Sequence, residues 1–137
     1  MNTKNEMLRE LFMANGLVKD EDTFDLKFGN RTTTIITRSG IEKIQFHNNI
    51  EVKYYVESIV PPDFVVIKAV ARIAKDAIVM ESFGEASANN TKQSYPVAMA
   101  EKRALSRVVL KIAGFYKYGV FAEDESDDFK RKGKEVA

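Results

Sequence analysis

The chain predicts an α+β fold: a three-stranded antiparallel meander packed on one long C-terminal helix, preceded by a short N-terminal helix and a hairpin (a β-β-β-α core). Two observations carry the meander. IEVKYYVESIV at 50–60 alternates with period 2, and the β-rich runs FVVIKAVARIA and AIVMESFGEAS follow it across short turns. The third observation is YPVAMAEKRALSRVVLKIAGFY at 95–116, whose apolar residues recur with helical period. At 137 residues, one core is the expected organisation.

In chain order, Thr3 to Asn15 predicts a short amphipathic helix, with Met7, Leu8, Leu11 and Phe12 on one side and Gly16 as its stop. FDLKFGNRTTTIIT predicts a hairpin turning at Gly29-Asn30. Ser39-Gly40-Ile41-Glu42 has the Ser-x-x-Glu form of a capping box, which predicts a helix from about Gly40 to Phe46 and leaves His47 in a loop. Pro61-Pro62-Asp63 ends the first meander strand, and Lys75-Asp76 makes a tight turn between the second and third. In the second strand Val65, Ile67, Ala69, Ala71 and Ile73 share one face. The other face carries Phe64, Val66, Lys68, Val70, Arg72 and Ala74. The polar stretch Ala88 to Ser94 leads into the long helix, with Pro96 in its first turn, where a missing N–H costs nothing. Residues 1–122 form the predicted domain, and 123–137 read as a disordered acidic-then-basic tail with almost nothing to bury.

Composition narrows the function classes. The chain has no Cys, which excludes thiolate catalysis, disulfides and Cys-ligated metal; its single histidine, His47, excludes a multi-His metal site within one chain. No run reaches the roughly 18 apolar residues of a membrane span, and MNTKNEMLRE lacks the apolar core of a secretory signal. The expected setting is cytoplasmic, with no membrane partner. No Walker loop, GxSxG elbow, HExxH or GxGxxG occurs, and no pair of carboxylates is nominated, so the expectation is a protein that is not an enzyme and needs no cofactor. EDESDD at 123–128 lacks the glycine-containing spacing of a calcium loop and reads as a solvated acidic segment.

Charge is unevenly spread. The net charge is +1, yet residues 91–122 hold six cations (Lys92, Lys102, Arg103, Arg107, Lys111 and Lys117) against one acid, Glu101. On a helical projection Arg103, Arg107 and Lys111 form an i, i+4, i+8 row opposite the apolar side, with Lys102 at the flank. An ordinary solvated helix face mixes signs at this spacing, whereas a row of like charges carries a small cost that a polyanion would remove. Lys68 and Arg72 on one strand face add two cations, and Tyr55 and Tyr116 are the candidate stacking aromatics; Phe115 and Phe121 are expected in the core. An acidic protein surface would fit the basic helix equally well, so an interaction or assembly module stands as the alternative.

The run TIITRSGIEKIQ, then the meander, the polar loop, AEKRALSR and the closing KIAGFY together resemble the single-strand annealing proteins of the β-β-β-α type. That group includes the eukaryotic Rad-type recombination mediator and phage annealing proteins of the Erf and Sak kinds. The likeness spans about Arg31 to Gly119, and its strongest local match is Lys102-Arg103-Ala104-Leu105, similar to the family's Lys-Arg-Ala-Leu run. The resemblance implies that Lys102 and Arg103 contact the DNA backbone. The family's next arginine falls where this chain has Ser106, with Arg107 as its counterpart. It further implies single-stranded DNA as partner, a homo-oligomer, and annealing or recombination mediation; separately, the acidic tail resembles in character the acidic tips with which single-strand binding proteins recruit partners, here replication or recombination proteins.

Overall fold

The computed structural model describes residues 3–60, 64–73, 78–87 and 96–125. In chain order these form α1 (Lys4–Ala14), β1 (Thr23–Phe28), β2 (Arg31–Ile36), α2 (Arg38–His47), β3 (Ile50–Val60), β4 (Phe64–Ile73), β5 (Ile78–Ala86), α3 (Pro96–Ile112) and β6 (Phe121–Ala122). Short 3-10 turns at Tyr116–Tyr118 and Glu123–Glu125 flank β6. The architecture is α+β, with β3, β4 and β5 as an antiparallel sheet in sequential order and α3 laid across it.

The period-2 pattern of β4 sorts its residues as the alternation requires. Val65, Ile67, Ala69 and Ala71 are buried beneath α3, while Phe64 and Arg72 are exposed on the outer face. From α3, Ala100, Ala104, Leu105, Val108 and Val109 close the core from above. Small residues let α3 approach β5 closely: a Cβ at Gly84 would run into the Ala100 carbonyl oxygen and the Ala104 backbone nitrogen. That contact is backbone against backbone, so neither side has a flexible end that can yield.

The hairpin forms as expected, with Phe28 opposite Arg31 across the Gly29-Asn30 turn. A parallel pairing of β6 with β2, Ile35 with Phe121 and Ile36 with Ala122, makes a second three-stranded sheet that sequence periodicity did not predict. Two residues of strand are too few to leave a period, and their partner lies far back in the chain. At the other end of α3, buried Phe115 stacks on Phe12 of α1, with ring centroids 6.0 Å apart. Leu8, Leu11 and Phe12 of α1 are thereby partly buried against the core, while Met7 stays exposed.

Three local expectations are corrected. α2 begins at Arg38, and its cap is Thr37, whose hydroxyl accepts from the Gly40 N–H; the Ser39 hydroxyl instead donates to Asp22 Oδ1 at 2.6 Å. His47 lies in the last turn of α2 and not in a loop. The domain runs past residue 122, because Glu123–Glu125 is folded onto the helices; the rest of the tail, from 126, lies outside the described residues, as do the turns at Pro61–Asp63 and Lys75-Asp76 and the loop at 88–94. The capping box of this chain is at α1, where the Thr3 hydroxyl and Glu6 carboxylate satisfy each other's backbone N–H.

Asp22 organises the junction of α2 with the hairpin. Its buried carboxylate accepts from Lys43 Nζ at 2.6 Å, from Ser39 and from the Val18 N–H at 2.8 Å. Burial pushes the carboxyl up, but these three hydrogen bonds and the Lys43 charge together hold it below the usual aspartate value. With the folded-state value lowered, its contribution to stability is complete above the unfolded-state range and is lost as pH falls through the folded-state value. Urea unfolding across acidic pH is expected to show that loss in the native chain and a flatter acid limb in Asp22→Asn, which is also about 1–3 kcal/mol less stable at neutral pH. An equal acid limb in both proteins would contradict this role. By the same assay Gly84→Ala is expected to destabilise by about 1–3 kcal/mol or more.

Candidate functional site

The basic row of α3 turns toward β5, buried at Arg103, half-buried at Arg107 and exposed at Lys111. Arg103 is 2% exposed, and its Nη1 donates to the Glu85 carbonyl oxygen at 2.8 Å. One turn on, Arg107 Nη1 donates to the Phe83 carbonyl oxygen at 2.8 Å; one turn further, Lys111 Nζ donates to the Glu81 carbonyl oxygen at 2.9 Å. Residues four apart on a helix are displaced by about 6 Å along its axis, and residues two apart on a strand by about 6.6 Å. An i, i+4, i+8 row therefore matches alternate carbonyls of an antiparallel neighbouring strand. β5 is the outer strand of its sheet, so these are the acceptors that β4 does not use. The expectation that the row projects away from the protein is corrected for Arg103 and Arg107; Lys111 stays exposed while its ammonium donates to the same sheet edge.

Carboxylates reinforce the ladder. Arg107 forms a two-pronged pair with Glu85, Nη1 to Oε2 at 2.8 Å and Nη2 to Oε1 at 3.0 Å. Those hydrogen bonds, against partial burial and aided by the Arg107 and Arg103 charges, hold the Glu85 carboxyl below its ordinary value. Arg103 Nε reaches the Asp124 carbonyl oxygen at 3.4 Å, and the buried Ser106 hydroxyl donates to Asp124 Oδ2 at 2.7 Å. Glu123 Oε1 accepts from the Arg38 N–H at 2.8 Å, at the start of α2, where a negative charge meets the positive end of the helix dipole. The first acids of the predicted tail thus accept from the Arg38 N–H of α2 and from Arg103 and Ser106 of α3.

The other predicted residues lie apart from this edge. Lys102 is half-buried on α3. Tyr116 packs against the core and tilts beside Phe121, with centroids 6.4 Å apart. Tyr55, Lys68 and Arg72 come together on the outer face of the meander, the face opposite α3. Register aligns Tyr55 of β3, Lys68 of β4 and Phe83 of β5 in one row across the sheet. The Lys68 ammonium lies 5.4 Å from the Tyr55 ring centroid and 3.4 Å from Glu57 Oε1. Tyr55 is 49% exposed and Phe83 47%. Neighbouring rows add Lys53 beside Val70 and Arg72 beside Val79, with Glu51 and Glu81 among them. Phe83 was missed by sequence reading because its face is fixed by register with Lys68, which no periodicity in β5 alone displays.

Among the described residues no three His, Asp or Glu side chains gather as a metal site, and no described helix is long and apolar enough to cross a membrane. The ladder predicts a graded response to substitution. Arg103→Ala, which empties a buried position and strips the Glu85 and Asp124 carbonyls of a donor, is expected to cost about 3 kcal/mol or more in urea unfolding, Arg107→Ala less, and Lys111→Ala under about 1 kcal/mol. Equal and small losses at all three positions would show that the row is an ordinary solvated face. No protein-family model matches the chain, and neither a curated protein nor a solved structure is significantly similar to it.

Proposed function

We propose that this protein binds single-stranded DNA without regard to sequence, through the outer face of the β3-β4-β5 sheet, as a strand-annealing or recombination-mediating protein. The observation that carries this reading is the cross-strand row Tyr55, Lys68 and Phe83: two half-exposed aromatic rings with a cation between them, on a sheet face that no other element among the described residues covers. Single strands are held by such combinations, with base stacking worth about 1–3 kcal/mol per base and cations neutralising phosphates. Lys53 and Arg72 extend the cationic positions along the face, and Lys111 lies at its β5 edge. The choice of DNA, the annealing role and assembly into a homo-oligomer come from the resemblance in TIITRSGIEKIQ and AEKRALSR. Lys102, half-buried on α3, retains the phosphate contact that the same resemblance implies. The acidic-partner alternative loses support, since Arg103 and Arg107, which would attract such a partner, are engaged with β5.

Fluorescence anisotropy with a labelled single-stranded oligonucleotide at two salt concentrations tests the reading. Binding is expected in the micromolar range or tighter at low salt, weakening steeply as salt rises. Lys68→Glu with Arg72→Glu, and separately Tyr55→Ala, are each expected to weaken it about tenfold or more while the protein stays folded. Absence of binding at low salt would overturn the function. Binding lost in Lys102→Glu but untouched by the sheet-face variants would move the interface to the helix side.

A further inference from the structure

The two edges of the β3-β4-β5 sheet are treated differently by this fold. The β5 edge is closed by Arg103, Arg107 and Lys111, which occupy the carbonyls of Glu85, Phe83 and Glu81. The β3 edge has no strand beside it among the described residues, although β3 is 11 residues long. It is also poorly covered on the α3 side, where Val56 is 62% exposed and Ile59 53%. A long edge strand with apolar side chains on view is a template for pairing with another chain. Its natural partner cannot be a β5 edge, because the guanidinium and ammonium groups of α3 already hold the acceptors there.

We infer that β3 pairs with β3 of a second copy, antiparallel about a two-fold axis at Tyr55, joining two meanders into one six-stranded sheet. The charge pattern of the strand selects this register. Lys53, Tyr55 and Glu57 lie on or reach the outer face, Lys53 and Tyr55 by their register with Val70 and Lys68, and Glu57 through its ion pair with Lys68. Turning the strand about Tyr55 brings each Lys53 to Glu57 of the second copy, the residue at the bulge between Val56 and Ser58, and sets the two Tyr55 rings against each other. On the α3 side the same rotation sets Tyr54 against Val56 of the second copy. Centring the pairing on Lys53 instead would oppose two lysines, and centring it on Tyr54 would oppose Glu51 to Glu57, both unfavourable for directly opposed residues. A self-complementary interface of this kind closes at two copies, whereas a head-to-tail edge contact would generate rings or filaments. The inference rests on the two edges of the sheet and not on the nucleic-acid reading, and its test contains no nucleic acid.

Sedimentation of the full chain is expected to show a dimer. Lys53→Glu sets two carboxylates against each other at the cross-copy pair, and Glu57→Lys sets two ammonium groups against each other there, so each variant alone is expected to self-associate about tenfold more weakly. An equimolar mixture of the two variants lets opposite charges meet again and is expected to recover dimers as heterodimers. Circular dichroism on each variant confirms that it is folded, and Val56→Lys, at an exposed position, is expected to give monomers independently of the charge pair. A native chain that stays monomeric at tens of micromolar, a closed ring or larger assembly, or a mixture no more dimeric than its components would each overturn the pairing.

Discussion

The fit of α3 against β5 is the constraint on which the rest of the molecule depends. It is set at close range by Gly84, which lets the two backbones meet at Ala100 and Ala104, and along its length by three cations placed on three carbonyls. Both parts follow from geometry: one helical turn and two strand residues advance by nearly the same distance, so a row that fits one rung fits the next. The ladder buries polar groups only in satisfied form, and among the described residues no buried side-chain polar atom lacks a partner. With α3 fixed in this way, the core beneath it closes over β4. β6 and the turn at Glu123–Glu125 are then bound to α2 and α3 through Glu123 and Asp124.

That arrangement redistributes the charge that gives the sequence its functional suggestion. The +5 of residues 91–122 reads as a surface waiting for a polyanion, yet its most regular members serve the sheet edge. What remains exposed is the outer face of the meander. There the aromatic and cationic positions of three strands come into register, while Glu57 and Glu85 are engaged with Lys68 and Arg107. Edge closure at β5 and an open edge at β3 also give the sheet a direction of growth. A two-fold pairing at Tyr55 would double the outer face and bring both copies of the aromatic row to its centre.

The fold was legible where burial imposes a period. β4 alternates because one side of it lies under α3, and α3 shows its apolar side because Ala104, Val108 and Val109 must meet the sheet. Legibility failed where long-range partners decide. Ser39 looks like a cap until Asp22, 17 residues earlier, takes its hydroxyl, and Phe121-Ala122 is a strand only because β2 accepts it. The candidate site divides along the same line. Tyr55, Lys68 and Arg72 could be grouped from strand alternation, but Phe83 needed the β4-β5 register, and the fate of Arg103 needed the position of β5 itself. A helical projection says which residues share a side; it cannot say that a sheet edge lies alongside them.

The most direct measurement is hydrogen exchange at the arginine side chains, followed by NMR on the labelled protein with and without a single-stranded oligonucleotide. Arg103 Nε–H, held between α3 and Asp124 with its guanidinium on Glu85, should exchange far more slowly than an exposed guanidinium and should keep its protection when the oligonucleotide binds. Rapid, water-like exchange at Arg103 in the free protein, or a signal that shifts and gains protection only with DNA, would contradict the assignment of this row to the sheet edge.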